Sequence, residues 1–297
     1  MNVGLVQVHE RMTGAEGYML EPDGKTEVYG IIGNPVGHSL SPVMHNAAFA
    51  AMGANRVYVP FLVEDIADAV KGLRALNIKG VSVTIPHKES IIPFLDDIDP
   101  VALKIGAVNT VHVVGDGQRR LLTGSNSDWV GANRALADHT ELRGTTVAVL
   151  GAGGSARAIA FGLREAGAEV VLCSRTQTRG RELAADLDCQ WYPLTEVEQL
   201  PGSVLVHATS VGMAPNIGES LVEQRHLERF AVVMDIVYSP IETRLLREAI
   251  EAGCRVVNGL EMLLYQGVAQ YELWTGQTAP VEVMRAGLLQ AAGNCRR

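Results

Sequence analysis

The sequence predicts an α/β fold in two domains. The chain has 297 residues, which at roughly 150 residues per domain suggests two of them. Hydrophobic residues make up 47% and charged residues 20% of the chain, as in an ordinary globular protein. From Glu27 onward, short apolar runs of strand character alternate with segments of helical periodicity. This alternation is typical of parallel sheets joined by right-handed crossover helices.

The first strand–helix series occupies the N-terminal half. A helix is predicted from Ser41-Pro42, because serine is a good N-cap and proline a good first helical residue. Residues 64–76 predict an amphipathic helix. The predicted strands are 28–33, 56–62 and 80–86, followed by a pair at 107–114 and 119–123 around a turn at 115–117.

A second series follows and ends in two helices. Residues 145–150 form a continuous apolar run, which is typical of a strand buried on both faces. The further predicted strands are 169–173, 204–207, 231–236 and 255–257. The predicted helices are 156–166, 178–187, 259–275 and 280–292.

Charge and cysteine content exclude several classes of protein. The net charge is −8 and no basic run occurs, so the sequence predicts no nucleic-acid partner. The four cysteines are far apart and form no CxxC pair, and the histidines form no ligand-spaced cluster, so no metal is expected. No apolar stretch approaches the 18 residues that a membrane span needs. We expect a cytoplasmic protein with a poorly ordered extension over residues 1–26.

The strongest motif is Gly151-Ala152-Gly153-Gly154-Ser155-Ala156, which follows a predicted strand and opens a predicted helix. In this context the first glycine makes the turn and the second lets the backbone approach a pyrophosphate. The small Ala156 permits close packing of helix on strand, and the helix N-terminus attracts negative charge. The motif therefore predicts a Rossmann-like domain that binds a dinucleotide.

The end of the next strand indicates which dinucleotide. Enzymes that use NAD place a carboxylate there to hold the ribose 2′-hydroxyl. Here the strand ends in Cys173-Ser174-Arg175-Thr176, without a carboxylate. The guanidinium of Arg175 suits a 2′-phosphate, and Ser174 and Thr176 add hydroxyls. The sequence therefore favours NADP, although an arginine at this place could also simply face solvent.

Polar residues of the first series suggest a substrate site. Ser39 and Ser41 flank the start of a predicted helix, where two hydroxyls could bind a carboxylate. A plain N-cap by Ser41 would explain one of the two serines. Lys88 follows a strand at the edge where open parallel sheets bind ligands, and Asp128 begins a helix near the domain junction. Together they could form an acid–base pair, whereas singly each could be a surface charge.

Taken in order along the chain, these segments resemble the shikimate dehydrogenase family. The resemblance runs from Val28 to the C-terminus. The matching motifs are Gly33-Asn34-Pro35, His38-Ser39-Leu40-Ser41-Pro42, Val83-Thr84-Ile85-Pro86-His87-Lys88, Gly106-Ala107-Val108-Asn109-Thr110, Asn126-Ser127-Asp128, Gly151-Ala152-Gly153-Gly154, Ala208-Thr209-Ser210-Val211-Gly212-Met213, Asp235-Ile236-Val237-Tyr238 and Glu261-Met262-Leu263-Leu264-Tyr265-Gln266-Gly267.

The resemblance implies a role for each matching residue. Lys88 and Asp128 would be the catalytic pair. The substrate carboxylate would be held by Ser39, Ser41 and Tyr238, and the ring hydroxyls by Thr84, Asn109 and Gln266. The cofactor would contact the glycine turn from Gly151 to Ala156, then Ser174, Arg175, Thr176, Thr209, Ser210, Val211 and Gly259.

The resemblance also implies an activity and an architecture. Family members reversibly reduce 3-dehydroshikimate to shikimate with NADPH, a step in aromatic amino-acid biosynthesis. Residues 27–127 with 259–297 would form the substrate domain, to which the last helices return, and residues 128–258 the NADP-binding domain. The active site would lie in the cleft between them. The protein would be a monomer or a homodimer with a small-molecule substrate.

Four residues depart from the family pattern. Trp129 stands where glycine is usual, beside Asp128, and either packs on the domain junction or shapes the cleft. His87 replaces a common phenylalanine and is expected to be structural. His207 replaces the usual asparagine before Ala-Thr-Ser, and Ser174 replaces asparagine in the cofactor motif.

Two alternatives to the biosynthetic enzyme stay open. One is a paralogue that acts on quinate or an amino analogue, because the pocket contacts that separate these substrates are not visible in the sequence. The other is a catalytically silent NADP(H)-binding regulatory module, because a fold alone does not establish an activity. A module without catalysis would need neither Lys88 nor Asp128.

Overall fold

The computed structural model describes residues 21–115 and 120–294, and places them in two α/β domains, each built on a six-stranded sheet. The predicted fold class is confirmed. Most of the predicted extension, and the turn at 115–117 beyond its first residue, lie outside the described residues. Within the described part, Asp23 and Thr26 hydrogen-bond to the side chain of Asn55 at 2.8 and 2.7 Å.

The first sheet is mixed. Its strands are β1 (Glu27–Gly33), β2 (Arg56–Leu62), β3 (Gly80–Val83), β4 (Asp97–Ile98), β5 (Thr110–Val114) and β6 (Leu121–Ser125). Their spatial order is β2-β1-β3-β5-β6-β4, with β2, β1 and β3 parallel and β5 antiparallel to both of its neighbours. The predicted strand pair at 107–123 is the antiparallel part, and the two-residue β4 is too short for a sequence pattern to reveal.

The helices of this half are α1 (Ser41–Ala51), α2 (Ile66–Ala75), α3 (His87–Ser90) and α4 (Pro100–Ile105), and the next helix, α5 (Asp128–Ala137), packs in the core of the second domain. Ser41 is not the N-cap of α1 as predicted. Leu40 holds that position, and Ser41 is the first helical residue. Its backbone N–H is 3.3 Å from the hydroxyl of Ser39, which accepts a hydrogen bond from it. The serine preceding the helix therefore takes the local role that a cap normally has.

The second sheet is fully parallel. It contains β7 (Thr146–Leu150), β8 (Glu169–Ser174), β9 (Gln190–Pro193), β10 (Val204–His207), β11 (Val232–Asp235) and β12 (Arg255–Val257), with helices α6 (Gly154–Glu165), α7 (Gln177–Asp186) and α8 (Arg244–Glu251). The order β9-β8-β7-β10-β11-β12 is the doubly wound order of a dinucleotide-binding domain. Its topological switch point lies between β7 and β10, beside the glycine turn.

The last two helices, α9 (Gly259–Thr275) and α10 (Val281–Asn294), return to the first domain. Leu264 and Tyr271 of α9 pack in one apolar cluster with Met44 and Phe49 of α1. The indole N–H of Trp274 donates to the carbonyl of Val111 in β5 at 3.1 Å. Helix α9 therefore supports the sheet that carries the predicted substrate residues.

Trp129 packs at the junction of the two domains. Its ring meets Phe161 of α6 edge-on, with centroids 6.3 Å apart, in an apolar cluster that includes Ile105 of α4. It does not line the cleft between the domains. Of the two roles that the sequence left open, the structure supports junction packing.

Candidate active site

A cleft of about 1070 Å³ lies between the carboxyl ends of the two sheets. Most of the predicted site residues line it. They are Ser39, Ser41, Thr84, Lys88, Asn109, Asp128, Gly151, Ala152, Gly153, Gly154, Ser155, Arg175, Thr209, Ser210, Tyr238, Gly259 and Gln266. Four predicted cofactor residues, Ala156, Ser174, Thr176 and Val211, do not line it.

Lys88 and Asp128 form an ion pair that lines this cleft. The Lys88 Nζ is 2.5 Å from Asp128 Oδ2, and the two side chains are only 12% and 7% exposed. Lys88 lies in α3, just beyond the end of β3, whereas Asp128 is the first residue of α5. The ammonium group also donates to the hydroxyl of Ser155 in the glycine turn, at 3.0 Å. The predicted pair therefore meets, and it contacts both domains.

Asn109 fixes the other oxygen of Asp128. Its Nδ2 donates to Asp128 Oδ1 at 2.7 Å. Its Oδ1 accepts from the backbone N–H of Ser127 and from the hydroxyl of Thr110, both at 2.7 Å. Because both of these partners donate, the amide of Asn109 can only present its N–H groups to Asp128. The carboxylate is thus held at both oxygens.

Behind Asn109 lies a buried network that sequence reasoning missed. Gln270 of α9 donates to the Asn109 carbonyl at 3.2 Å and to the Thr110 hydroxyl at 2.9 Å. Its Oε1 accepts from Ser82 at 2.7 Å, and Ser82 in turn accepts from the hydroxyl of Tyr58 at 2.6 Å. Gln270 could have been found from its position, because it lies one helical turn beyond the predicted Gln266 and so on the same face of the helix.

Ser39, Ser41 and Tyr238 all line the cleft, and Ser39 contacts both of the others. Burial raises the pKa of Tyr238, and hydrogen bonding to Ser39 offsets part of that rise. The tyrosine therefore stays a neutral hydroxyl donor at neutral pH. Three hydroxyls beside the start of α1 suit a carboxylate.

Thr84 and Gln266 line the cleft as well. A Cβ on Gly33 would lie 2.3 Å from Thr84 Cγ2, so the glycine leaves the space that Thr84 occupies. Gln266 is buried, and its Nε2 donates to the carbonyl of Leu263 at 2.9 Å.

The glycine turn fits a dinucleotide pyrophosphate. Gly151 has φ +131°, and a Cβ there would lie 2.7 Å from the Ala208 carbonyl, so only glycine fits. At Gly153 a Cβ would meet no atom within 4 Å, so the cleft side of the turn is open. No side chain caps the start of α6. The first N–H groups of this helix are therefore available to an anion.

Arg175 and Arg179 line the cleft at the end of β8. Sequence reasoning identified Arg175 and missed Arg179, which follows it by four residues. Ser174 departs from the expectation because its hydroxyl is used internally. It accepts from the indole N–H of Trp191 at 3.0 Å and donates to the Thr176 carbonyl at 3.2 Å. Ser174 therefore supports the loop that carries Arg175 and does not line the cleft.

His87 has a structural contact, as expected. Its ring Nε2 lies 2.9 Å from the Val63 carbonyl, in a buried position. Across the described ranges 21–115 and 120–294, no group of three or more His, Cys, Asp or Glu is arranged to hold a metal ion. No helix in those ranges is both long and apolar enough to cross a membrane.

Comparison with known proteins supports the activity that the resemblance of the sequence motifs implied. A shikimate dehydrogenase (NADP(+)) of Pyrococcus abyssi is 46% identical over 270 residues, covering 90% of this chain and 99% of that protein. A crystal structure of a shikimate dehydrogenase in complex with NADP+ is 38% identical with a TM-score of 0.85, covering 93% of this chain and 99% of the other. The Thermus thermophilus enzyme in complex with NADP(H) and shikimate is 37% identical with a TM-score of 0.81, covering 89% and 99%.

The two-domain fold and its cleft define an oxidoreductase that uses a nicotinamide dinucleotide. Residues 31–111 match the shikimate dehydrogenase substrate binding domain, and residues 259–289 match the shikimate 5′-dehydrogenase C-terminal domain. Residues 146–237 match the domain described as NADP oxidoreductase coenzyme F420-dependent. The chain belongs to the shikimate dehydrogenase family.

Proposed function

We propose that this protein is an NADP-dependent shikimate dehydrogenase that interconverts 3-dehydroshikimate and shikimate. One observation carries the proposal: the Lys88–Asp128 pair, 2.5 Å apart, faces a cleft that also contains the glycine turn and Arg175. A proton-transfer pair, an anion-binding helix start and a phosphate-binding arginine are what this reaction requires. The relatives named above, at 37–46% identity, support it.

The cofactor would lie along the edge of the second sheet. The open N–H groups at the start of α6 would bind the pyrophosphate, and Arg175 with Arg179 would bind the 2′-phosphate. Bound NADPH supplies the hydride for the ketone carbon. Thr209, Ser210 and Gly259 line the cleft on the other side of β7 from Arg175, where the nicotinamide would lie.

The substrate would lie against the first domain. Ser39, Ser41 and Tyr238 would donate hydrogen bonds to its carboxylate. Thr84, Asn109 and Gln266 would contact its ring hydroxyls. All six residues line the cleft that the substrate would occupy.

Lys88 would transfer the proton. In the reducing direction its ammonium donates a proton to the oxygen of the substrate ketone, and in the reverse direction the neutral amine removes it. Asp128 holds the amine in place, and Asn109 holds Asp128. Since both side chains are nearly buried, closure of the domains would exclude water from this step.

We assign residues 27–127 and 259–297 to the substrate domain and residues 128–258 to the NADP-binding domain. We also infer a cytoplasmic protein that works as a monomer or homodimer. The three cysteines within the described residues are unpaired, which supports a reducing compartment.

The test is the initial rate of NADPH or NADH formation by the purified protein, with shikimate and quinate each paired with NADP+ and NAD+. We expect the highest kcat/KM with shikimate and NADP+. A higher value with quinate or with NAD+ would change the assigned specificity while keeping the Lys88–Asp128 chemistry. Tight NADPH binding without turnover of any pair would instead support a silent regulatory module.

A further inference from the structure

A second buried cluster lies at the end of β10 and β11, outside the catalytic pair. His207 is 2% exposed, and its Nδ1 is 2.8 Å from Asp235 Oδ1. The other oxygen of Asp235 accepts from the Thr243 hydroxyl at 2.7 Å. On the opposite side of the ring, His207 Nε2 is 2.5 Å from the hydroxyl of Thr209. Of these residues only Thr209 lines the cleft.

With the His207 ring neutral, the hydrogen-bond partners set the polarity of this chain of contacts. A carboxylate only accepts, so the proton on the Nδ1 of His207 points to Asp235. In the neutral ring Nε2 is then an acceptor, and the Thr209 hydroxyl must donate to it. One lone pair of the Thr209 oxygen accepts from the backbone N–H of Val211 at 3.2 Å. The remaining lone pair makes Thr209 an acceptor toward the cleft.

The position of Thr209 indicates which part of the cofactor it meets. In the sheet order, Arg175 follows β8 on one side of β7, and Thr209 follows β10 on the other. A dinucleotide bound across this switch point places its two nucleosides on opposite sides. With the 2′-phosphate at Arg175, the nicotinamide riboside lies on the side of Thr209. That half carries N–H and O–H donors, whereas a phosphate would only accept.

We propose that His207 is a positioning residue that, held by Asp235, turns Thr209 into a hydrogen-bond acceptor for the nicotinamide riboside half of NADP. The proposal rests on the proposed function for the identity of the dinucleotide. Asp235 also accepts from the backbone N–H of Val237 at 3.0 Å, next to Tyr238. His207 therefore joins the loop on the cofactor side to the loop that carries a predicted substrate residue.

Two substitutions separate the two ring nitrogens. In His207→Asn the amide can still donate to Asp235 but is too short to reach Thr209. In His207→Gln the longer side chain can place its oxygen near the position of Nε2 and accept from Thr209. Thr209→Val removes the hydroxyl at the cleft and leaves the buried pair of His207 and Asp235 in place. The thermal midpoint of each variant shows whether it is folded.

The measurement is the dissociation constant, by calorimetry, for NADP+ and for adenosine 2′,5′-bisphosphate, which lacks the nicotinamide riboside and one phosphate of the pyrophosphate. We expect His207→Asn and Thr209→Val each to weaken NADP+ binding about 3- to 10-fold, the value of one hydrogen bond. Binding of the bisphosphate should not change. His207→Gln should bind NADP+ within about twofold of the parent. The double variant that combines His207→Asn with Thr209→Val should bind no more weakly than either single variant.

Three results would overturn the proposal: unchanged NADP+ binding by folded His207→Asn or folded Thr209→Val, equal losses for both ligands, or additive losses in the double variant. Because binding is measured without turnover, a parent protein that binds NADP+ but does not oxidise shikimate would overturn only the proposed function. A parent that binds adenosine 2′,5′-bisphosphate but gains nothing from the nicotinamide riboside would overturn only the role of His207. A parent that binds neither ligand would overturn both.

Discussion

The two walls of the cleft are built differently. On the substrate side, Lys88, Asp128 and Asn109 are joined by hydrogen bonds of 2.5 and 2.7 Å, and a further layer around Gln270 lies behind them. On the cofactor side, Arg175 is exposed and no side chain caps the start of α6, so its first backbone N–H groups are open. Proton transfer needs atoms held in place, whereas a phosphate can be bound by any nearby positively charged donors.

This comparison predicts that the largest effect lies on the substrate side. We expect Lys88→Ala to lower kcat by about 10²–10⁴-fold, because a positioned proton donor is lost. The dissociation constant for NADP+ should change little. The measurement is steady-state kinetics together with calorimetry, with Lys104→Ala, an exposed lysine of α4, as the control. Near-normal turnover by a folded Lys88→Ala protein would remove Lys88 from the mechanism.

The next effect lies on the cofactor side and should appear in KM. We expect Arg175→Ala to raise the KM for NADP+ roughly 10- to 100-fold, because a charge-assisted contact to the 2′-phosphate is lost. The KM for NAD+ should stay the same, since NAD+ lacks that phosphate. Arg225→Ala, an exposed arginine in the second domain, is the matched control. An equal rise in KM for both cofactors would show that Arg175 supports the fold and does not bind the 2′-phosphate.

The sequence predicted the two walls unequally well. Residues at strand ends, such as Lys88 and Gly151, were found because the edge of a parallel sheet collects them in one place. Gln270 was missed because its partners are 160 or more residues away in the chain. The loop of Arg175 was identified, but its brace through Trp191 depends on β9, a short edge strand with no alternating pattern. Sequence motifs identify the residues that contact a ligand more readily than the residues that hold them in position.

The buried residues that support the substrate side should also affect how folding stability changes at acid pH. Burial lowers the pKa of His45 to about 3, in a core where its ring stacks on Tyr58 at 4.5 Å. The unfolded chain takes up a proton at His45 below about pH 6.5 and the native protein does not. The free energy of unfolding therefore decreases as the pH is lowered from about 6.5 to 3. For this one group the loss between pH 7 and 5.5 is roughly 1 kcal/mol.

We therefore expect His45→Phe to reduce the decrease in stability between pH 7 and 5.5 by about that amount. The measurement is the free energy of unfolding by urea for parent and variant at pH 7 and 5.5. The loss between the two pH values in the variant is then compared with the loss in the parent. His139→Gln, which changes a histidine outside the core, should leave the decrease as it is in the parent. If His45→Phe has the parent's pH dependence, acid sensitivity does not arise from this core.

The smallest effect should come from the brace on the cofactor side. Trp191→Phe removes the indole N–H that donates to Ser174 and keeps an aromatic ring beneath Arg181, whose guanidinium lies 5.0 Å from the ring centre. We expect the KM for NADP+ to rise about threefold, because one neutral hydrogen bond positions the loop of Arg175. With Arg175 already changed to alanine, the same substitution should have no further effect on NADP+ binding, since the loop then has no guanidinium to position.

Trp129→Phe, at the domain junction, is the control for the change of ring. An equal rise for NADP+ and NAD+ would mean that Trp191 supports the whole domain, and the cofactor side would then be as dependent on buried contacts as the substrate side.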